Sequence, residues 1–165
     1  MNYHNIVHDD MLNGSGLRVT LFVSGCDNRC DGCQNPQTWD ENSGIPFDDA
    51  AMHELDFYLS KPYTKGITLS GGDPLYIHNE PEIAKICKHV RECFPEKDIW
   101  IYTGHYWHDI KDYDALKYAD ILVEGPYKKD LRDTQMHWAG STNQRIIDVQ
   151  SSLKAGHVIL KETFE

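Results

Sequence analysis

The sequence predicts an α/β protein with a mainly parallel sheet, because short apolar segments rich in β-branched residues alternate with longer segments of helical periodicity. The chain has 165 residues and contains no repeat, low-complexity tract or evident linker. This length suits one domain with a substantial core, so we expect a single domain over residues 1–165. Hydrophobic residues make up 40% and charged residues 25% of the chain, a globular composition.

Short apolar runs, several of them followed by glycine or proline, predict β-strands. Five such runs occur, at 18–24, 66–70, 98–103, 121–124 and 145–149. Parallel strands need long crossover connections, usually helical, and helical segments do separate most of these runs.

Three segments are predicted as helices, over residues 48–60, 81–94 and 109–118. In the first, apolar residues recur with helical spacing at Ala51, Leu55 and Leu59. Pro81 suits the first turn of the second helix, and Pro95 ends it.

Charge and hydropathy exclude two classes of partner. The net charge is −10, from 26 acidic and 16 basic residues, and no basic footprint for nucleic acid is present. No apolar run approaches the roughly 20 residues needed to cross a membrane. The first ten residues are polar and do not form a signal peptide, so we expect a cytoplasmic protein.

Glycines follow three of the predicted strands, at Gly25, at Gly71-Gly72 and at Gly104. The carboxyl ends of parallel strands meet at one edge of the sheet, where such folds place their chemistry. We therefore expect these three strand ends to lie close together.

Three of the five cysteines follow the first strand in a CxxxCxxC loop formed by Cys26, Cys30 and Cys33. A short loop of this kind can hold an iron–sulfur cube at three corners and leave the fourth iron open to a small molecule. Cys87 and Cys93 lie on the second predicted helix and belong to no ligand run. A structural zinc site, with one of the nine histidines as fourth ligand, remains an alternative at this point.

A second motif, Ser70-Gly71-Gly72-Asp73-Pro74, ends the second strand. Together with the cysteine loop it resembles the radical S-adenosylmethionine superfamily. The resemblance implies a 4Fe–4S cluster on Cys26, Cys30 and Cys33, with S-adenosylmethionine bound at the open iron. It also implies the fold of that superfamily, here a single-domain, incomplete TIM-like β/α barrel.

Further segments resemble the glycyl-radical enzyme activases of this superfamily that act on anaerobic ribonucleoside-triphosphate reductases. The segments are residues 13–16, 21–26, 32–35, 38–39, 70–75, 98–104 and 138–145. The resemblance implies reductive cleavage of S-adenosylmethionine to a 5′-deoxyadenosyl radical, which creates a glycyl radical on the large reductase. It also implies a low-potential electron donor such as flavodoxin. Residues after Asp148 match nothing.

The resemblance also assigns the cofactor contacts. Gly71, Gly72 and Asp73 are the candidates for the methionine amino group. The candidates for the adenosyl side are Gly32, Cys33 and Gln34. Gly32 stands where many superfamily members have an aromatic residue, and Gln34 stands where tyrosine is expected. By position alone, Thr103 and Glu124 at later strand ends are further candidates.

The chain is too short for a closed eight-stranded barrel, which typically uses roughly 250 residues. We therefore expect a barrel that is open on one side and takes a protein substrate. The polar stretch 126–145 is long enough to line the opening, with Trp138 and Arg145 as docking residues. Two alternatives remain: an activase or synthase of another radical pathway, and a non-catalytic zinc or iron–sulfur interaction module.

Overall fold

The computed structural model describes residues 1 to 164 and has a mixed α/β fold with a seven-stranded sheet. The strands are β1 (Asn2–Asp10), β2 (Arg18–Val23), β3 (Ile45–Pro46), β4 (Gly66–Gly71), β5 (Asp98–Tyr102), β6 (Ile121–Glu124) and β7 (Arg145–Asp148). Their order across the sheet is β3-β1-β2-β4-β5-β6-β7, so the sheet is open and does not close into a barrel.

Four α-helices complete the fold, α1 (Asp49–Leu59), α2 (Glu80–Cys93), α3 (Trp107–Ile110) and α4 (Val149–Ala155). The first two match their predicted positions within two residues at each end. Asp48 caps α1 by accepting a hydrogen bond from the Ala51 backbone N–H, and Pro81 lies in the first turn of α2. None of the helices described in residues 1–164 is long and apolar enough to cross a membrane.

The central strands β2, β4, β5 and β6 are parallel, as predicted. The outer strands β1, β3 and β7 pair antiparallel with their neighbours. The prediction was therefore incomplete for β7, the fifth predicted strand. The segment between β6 and β7 contains only a short 3-10 turn at 129–131 and no crossover helix, so the chain returns in the opposite direction.

The two faces of the sheet are buried differently. Alternate residues such as Val19 and Leu21 pack with apolar residues of α1 and α2 in the main core. The opposite face carries Arg18, Thr20 and Trp100, all of which are buried. Burial on both faces is typical of parallel sheets and explains why the strands read as nearly continuous apolar runs.

Several elements differ from prediction. The helix predicted over 109–118 is wrong, since the chain forms the short α3 and a separate 3-10 turn over Asp114–Lys117. The strands β1 and β3 and the helix α4 were not predicted. The sheet is open, as expected, and its likeness to a TIM-like barrel stays a prediction.

Candidate functional site

The three glycine-marked strand ends meet at one edge of the sheet, which confirms the predicted convergence. The Gly25 carbonyl accepts the Asp73 backbone N–H at 2.7 Å, and the Gly72 N–H donates to Val23 O at 2.8 Å. The Gly104 N–H donates to the Asp73 carboxylate at 3.0 Å. The cysteine loop and the Gly-Gly-Asp-Pro turn are therefore joined directly by backbone.

Close backbone approach explains the two glycines of the turn. Gly71 has a φ of +98°, in the left-handed region that favours glycine. A Cβ added at Gly72 would lie 2.5 Å from Gly25 O and 3.0 Å from Thr38 O. Any side chain here would push against the residue that precedes Cys26.

A cavity of about 390 Å³ opens at this edge, within the size range of small-molecule sites. Seven of the eight predicted site residues line this cavity: Cys26, Cys30, Cys33, Gln34, Gly71, Gly72 and Asp73. The eighth is Gly32. A Cβ added at this position would face Lys129 and Tyr127.

Two thiols of the cysteine loop receive an N–H group. Asn28 Nδ2 lies 3.7 Å from Cys26 Sγ, and the Asn35 backbone N–H donates to Cys33 Sγ at 3.3 Å. Such donors stabilise thiolates, the form that binds metal.

Burial has the opposite effect on two of the three loop thiols, because it disfavours the charged thiolate form. Burial raises the pKa of Cys26, and the N–H donors from Asn28 oppose this effect. Burial likewise raises the pKa of Cys30, opposed by the Tyr127 N–H. Metal binding to these partly buried sulfurs therefore includes the release of protons.

The two remaining cysteines lie outside the site. Cys87 is fully buried in the main core, where burial raises the pKa of its thiol to about 12. Cys93 is exposed at the end of α2. Neither borders the cavity.

The Asp73 carboxylate is fully buried and accepts hydrogen bonds from four donor groups. Oδ1 accepts from Thr103 Oγ1 at 2.8 Å and from the Leu75 N–H at 2.9 Å. Oδ2 accepts from Asn28 Nδ2 at 2.9 Å and from the Gly104 N–H at 3.0 Å. This side chain thus links the glycine turn to the cysteine loop and to the end of β5.

His105 adds a nearby base. Its Nε2 lies 3.2 Å from Asp27 Oδ1 and 3.6 Å from Asp73 Oδ2. Burial raises the pKa of Asp73, and His105 and the hydrogen-bond donors partly offset this increase.

Ligand atoms of Cys26, Asp27 and Asp73 lie within 4.8 Å of one another. Because donors already occupy both Asp73 oxygens, the thiols are the better metal ligands.

The positional candidates Thr103 and Glu124 already have partners. Thr103 donates to Asp73, as described above. Glu124 is fully buried, accepts the Trp107 backbone N–H at 2.7 Å and pairs with Arg145 Nε at 2.8 Å. Glu124 therefore holds α3 and β7 in place.

Trp138 also differs from expectation. Its ring lies 5.4 Å from the Trp100 ring and 4.6 Å from Phe164, measured between centroids. It lines the far side of the cavity together with Phe22, Tyr102 and Met136. The residue expected to be a docking anchor is thus half-buried inside the molecule.

Two site residues, Asn28 and Tyr127, were missed by sequence reasoning. Asn28 lies within the cysteine loop, but its partner Asp73 follows a different strand. Tyr127 acts through its backbone N–H, which has no signature in the sequence. Neither role leaves a local pattern from which it could have been predicted.

A protein of Enterobacteria phage T4, named anaerobic ribonucleoside-triphosphate reductase-activating protein, is 47% identical over 146 residues, 88% of this chain and 93% of the relative. The chain belongs to this family of activating proteins. Members of the same name from Escherichia coli K12 and Pasteurella multocida Pm70 are 41% and 37% identical, with 87% and 88% of this chain and 96% of each relative covered.

Residues 12–147 also match the family described as a 4Fe-4S single cluster domain. The matched region contains the cysteine loop, the glycine turn and the sheet except for β1 and the last residue of β7. This activating-protein family member therefore carries an iron–sulfur domain, and the zinc alternative for the cysteine loop is not supported.

Proposed function

We propose that this protein is a radical S-adenosylmethionine activase that generates a glycyl radical on an anaerobic ribonucleoside-triphosphate reductase. The observation that carries the proposal is the single cavity shared by the three loop cysteines and the Gly-Gly-Asp-Pro turn. The relatives' names supply the reductase as the target.

In this proposal Cys26, Cys30 and Cys33 hold a 4Fe–4S cluster. Three thiolates, two of them with N–H donors, suit such a cube and leave one iron for a small molecule. The chemistry supplied there is one-electron cleavage of S-adenosylmethionine to methionine and a 5′-deoxyadenosyl radical, which takes a hydrogen atom from a reductase glycine.

The residues of the glycine turn bind the methionine part of S-adenosylmethionine. Both oxygens of Asp73 are occupied by internal donors, so we assign the amino group to carbonyl oxygens of Gly71 and Gly72, which line the cavity. Cys33 and Gln34 line the cavity and form the adenosyl side. Gly32 contributes through its backbone only.

The architecture is that of an incomplete barrel of the radical S-adenosylmethionine type. Its support is the set of four parallel strands with a cavity at their carboxyl ends and helices packed on the other face. We also propose a single domain over residues 1–165 and a cytoplasmic location, where a low-potential donor such as flavodoxin supplies the electron. Five free cysteines in residues 1–164 suit a reducing compartment.

The test is anaerobic reconstitution with iron and sulfide, followed by mixing with purified reductase, S-adenosylmethionine and a strong reductant. Electron paramagnetic resonance should show the doublet of a glycyl radical. Cys30→Ala should abolish it, whereas Cys93→Ala should leave it intact. Cleavage of S-adenosylmethionine without the doublet would favour another target, and no cleavage would favour a non-catalytic iron–sulfur module.

A further inference from the structure

The segment after Met136 contains a polar turn, Ser141–Gln144, in which every side chain except that of Thr142 makes hydrogen bonds within the molecule. Gln144 Oε1 accepts the backbone N–H groups of Gly140 at 2.7 Å and of Ser141 at 3.2 Å. Its Nε2 donates to the Gly125 carbonyl at 3.0 Å. The Gln144 side chain is therefore hydrogen-bonded both to its own turn and to the backbone that follows β6.

The Asn143 side chain is likewise hydrogen-bonded both to its own turn and to the backbone that follows β6. Its Oδ1 accepts from Ser141 Oγ at 2.6 Å, and its Nδ2 donates to the Pro126 carbonyl at 2.8 Å. Ser141 is fully buried, and its Oγ accepts the Lys128 backbone N–H at 3.2 Å. Three side chains of the Ser141–Gln144 turn therefore hold the backbone of residues 125–128.

The held segment lies directly against the cysteine loop. A Cβ placed on Gly32 would be 3.6 Å from Tyr127 Cε1 and 3.4 Å from Lys129 Cδ. Gly125 and Tyr127 share the cavity wall with Cys30 and Cys33. Tyr127 thus forms part of the wall on which the Cys30 thiol lies. Displacing residues 125–128 would therefore open this wall and admit water beside the sulfur.

We propose that Asn143 and Gln144 are positioning residues of the cluster site, which hold residues 125–128 against the cysteine loop. The inference rests on the proposed cluster ligands. Outer hydrogen bonds and solvent exclusion tune both the retention and the potential of a metal centre.

This role differs from the docking role that the sequence suggested for residues 138–145. A docking surface presents side chains to a partner, whereas Asn143 and Gln144 use theirs on the Gly125 and Pro126 carbonyls. The two roles predict opposite results for the isolated protein. A docking residue leaves the cluster unchanged, and a positioning residue alters it without any partner present.

Two isosteric variants separate these roles. Gln144→Glu keeps the acceptor for Gly140 and Ser141 but loses the donor to Gly125. Asn143→Asp keeps the acceptor for Ser141 but loses the donor to Pro126. The matched control is Thr142→Ala in the same turn, since Thr142 is exposed and, among the described residues, its side chain makes no hydrogen bond.

The reconstituted variants are compared by iron content, by the rate of iron release to a chelator and by redox titration followed with electron paramagnetic resonance. Gln144→Glu and Asn143→Asp should release iron about fivefold faster, the factor that one hydrogen bond typically contributes. Their potentials should shift away from the parental value, and Thr142→Ala should match the parent. Circular dichroism melting of the cluster-free proteins checks that each variant folds. If one of the two isosteric variants does not fold, the other suffices for the comparison.

Parental iron release and parental potential in both isosteric variants would overturn the proposal. If glycyl-radical formation were lost at the same time, residues 141–144 would be a docking surface after all. Failure of the proposed function is distinguishable, because the iron measurements need neither S-adenosylmethionine nor the reductase. A parent that binds iron but forms no glycyl radical would leave the positioning role standing.

Discussion

The Asp73 carboxylate joins three strand ends through one buried side chain. It accepts hydrogen bonds from Asn28 in the cysteine loop and from Thr103 and Gly104 after β5. A buried carboxylate of this kind is costly unless every oxygen is satisfied, and here each oxygen has two donors. The geometry of the turn and that of the cysteine loop are consequently linked.

Replacing Asp73 with asparagine should damage this link while keeping the shape of the side chain. One amide end would present N–H groups to donors such as Asn28 Nδ2 and the Gly104 N–H. Leaving buried donors unsatisfied costs about 1–3 kcal/mol, so the free energy of unfolding should fall by this amount in urea titrations.

The affinity of the reconstituted protein for S-adenosylmethionine should fall as well, measured by its effect on the cluster spectrum. Asp31→Asn, an exposed carboxylate change in the cysteine loop, is the control. Parental stability and parental affinity in Asp73→Asn would show that the four hydrogen bonds do not couple the two loops.

Gly72 is expected to be intolerant of any side chain. The Cβ of Gly72→Ala would lie 2.5 Å from Gly25 O, next to Cys26, so the substitution should lower iron content as well as S-adenosylmethionine binding. Gly156→Ala is the control, since its added Cβ meets nothing within 4 Å and the residue lies far from the site, at a left-handed φ of +77°. Normal iron content in Gly72→Ala would show that the cysteine loop moves independently of the turn.

At the scale of single residues, sequence reasoning identified the groups that carry chemistry and missed those that position them. Cysteine spacing and the glycine turn are local patterns, so Cys26, Cys30 and Cys33 were named together. Asn28 and Tyr127 act across long sequence separations, where only the folded chain brings partners together.

At the scale of elements, prediction succeeded where local signals and burial agreed. The helices α1 and α2 have apolar residues on one face and a cap or a proline at the start. The segment after β5 has no such agreement. Glu124 accepts the first N–H of α3, and Glu80 accepts the Ala115 N–H, so tertiary contacts split one expected helix into two turns.

The N-cap of α1 gives a quantitative test at this scale. Asp48 Oδ1 accepts the Ala51 N–H at 2.9 Å, and loss of such a cap typically costs about 1 kcal/mol. Asp48→Ala should lower the free energy of unfolding by this amount, while Asp48→Ser should retain most of it. Equal stability of the two variants in urea titrations would mean that water replaces the cap without loss.

At the scale of the whole molecule, the sequence predicted the parallel centre of the sheet but not its outer strands. The strand β1 has half-buried and exposed residues in successive pairs, with only Ile6 and Val7 as aliphatic residues, and so carries little hydrophobic signal. The strand β7 runs antiparallel because no crossover helix lies between residues 125 and 144. The positions of the five predicted strands did not reveal this direction. The open sheet follows from these outer strands.

The chain beyond the matched 4Fe-4S domain covers the open edge of the sheet at β7. Leu160 forms a bridge with Ile147, and the Lys161 N–H donates to Ile146 O at 2.9 Å. Phe164 then packs against Trp138 and Trp100, with ring centroids 4.6 and 5.6 Å away. This segment hides an edge that would otherwise present unpaired backbone groups.

We expect the segment after Gly156 to stabilise the fold without contributing to cluster binding. Phe164→Ala should lower the free energy of unfolding by about 1–2 kcal/mol, the value of two aromatic contacts. Ending the chain at Gly156 should destabilise it further, because the β7 edge becomes exposed. Iron content after reconstitution should remain parental in both variants, since Cys26, Cys30 and Cys33 lie within the matched region 12–147. Urea titration and iron analysis measure the two quantities separately. Loss of iron from Phe164→Ala at a temperature where the protein remains folded would place the tail in the cluster site, acting through Trp138 on the cavity wall.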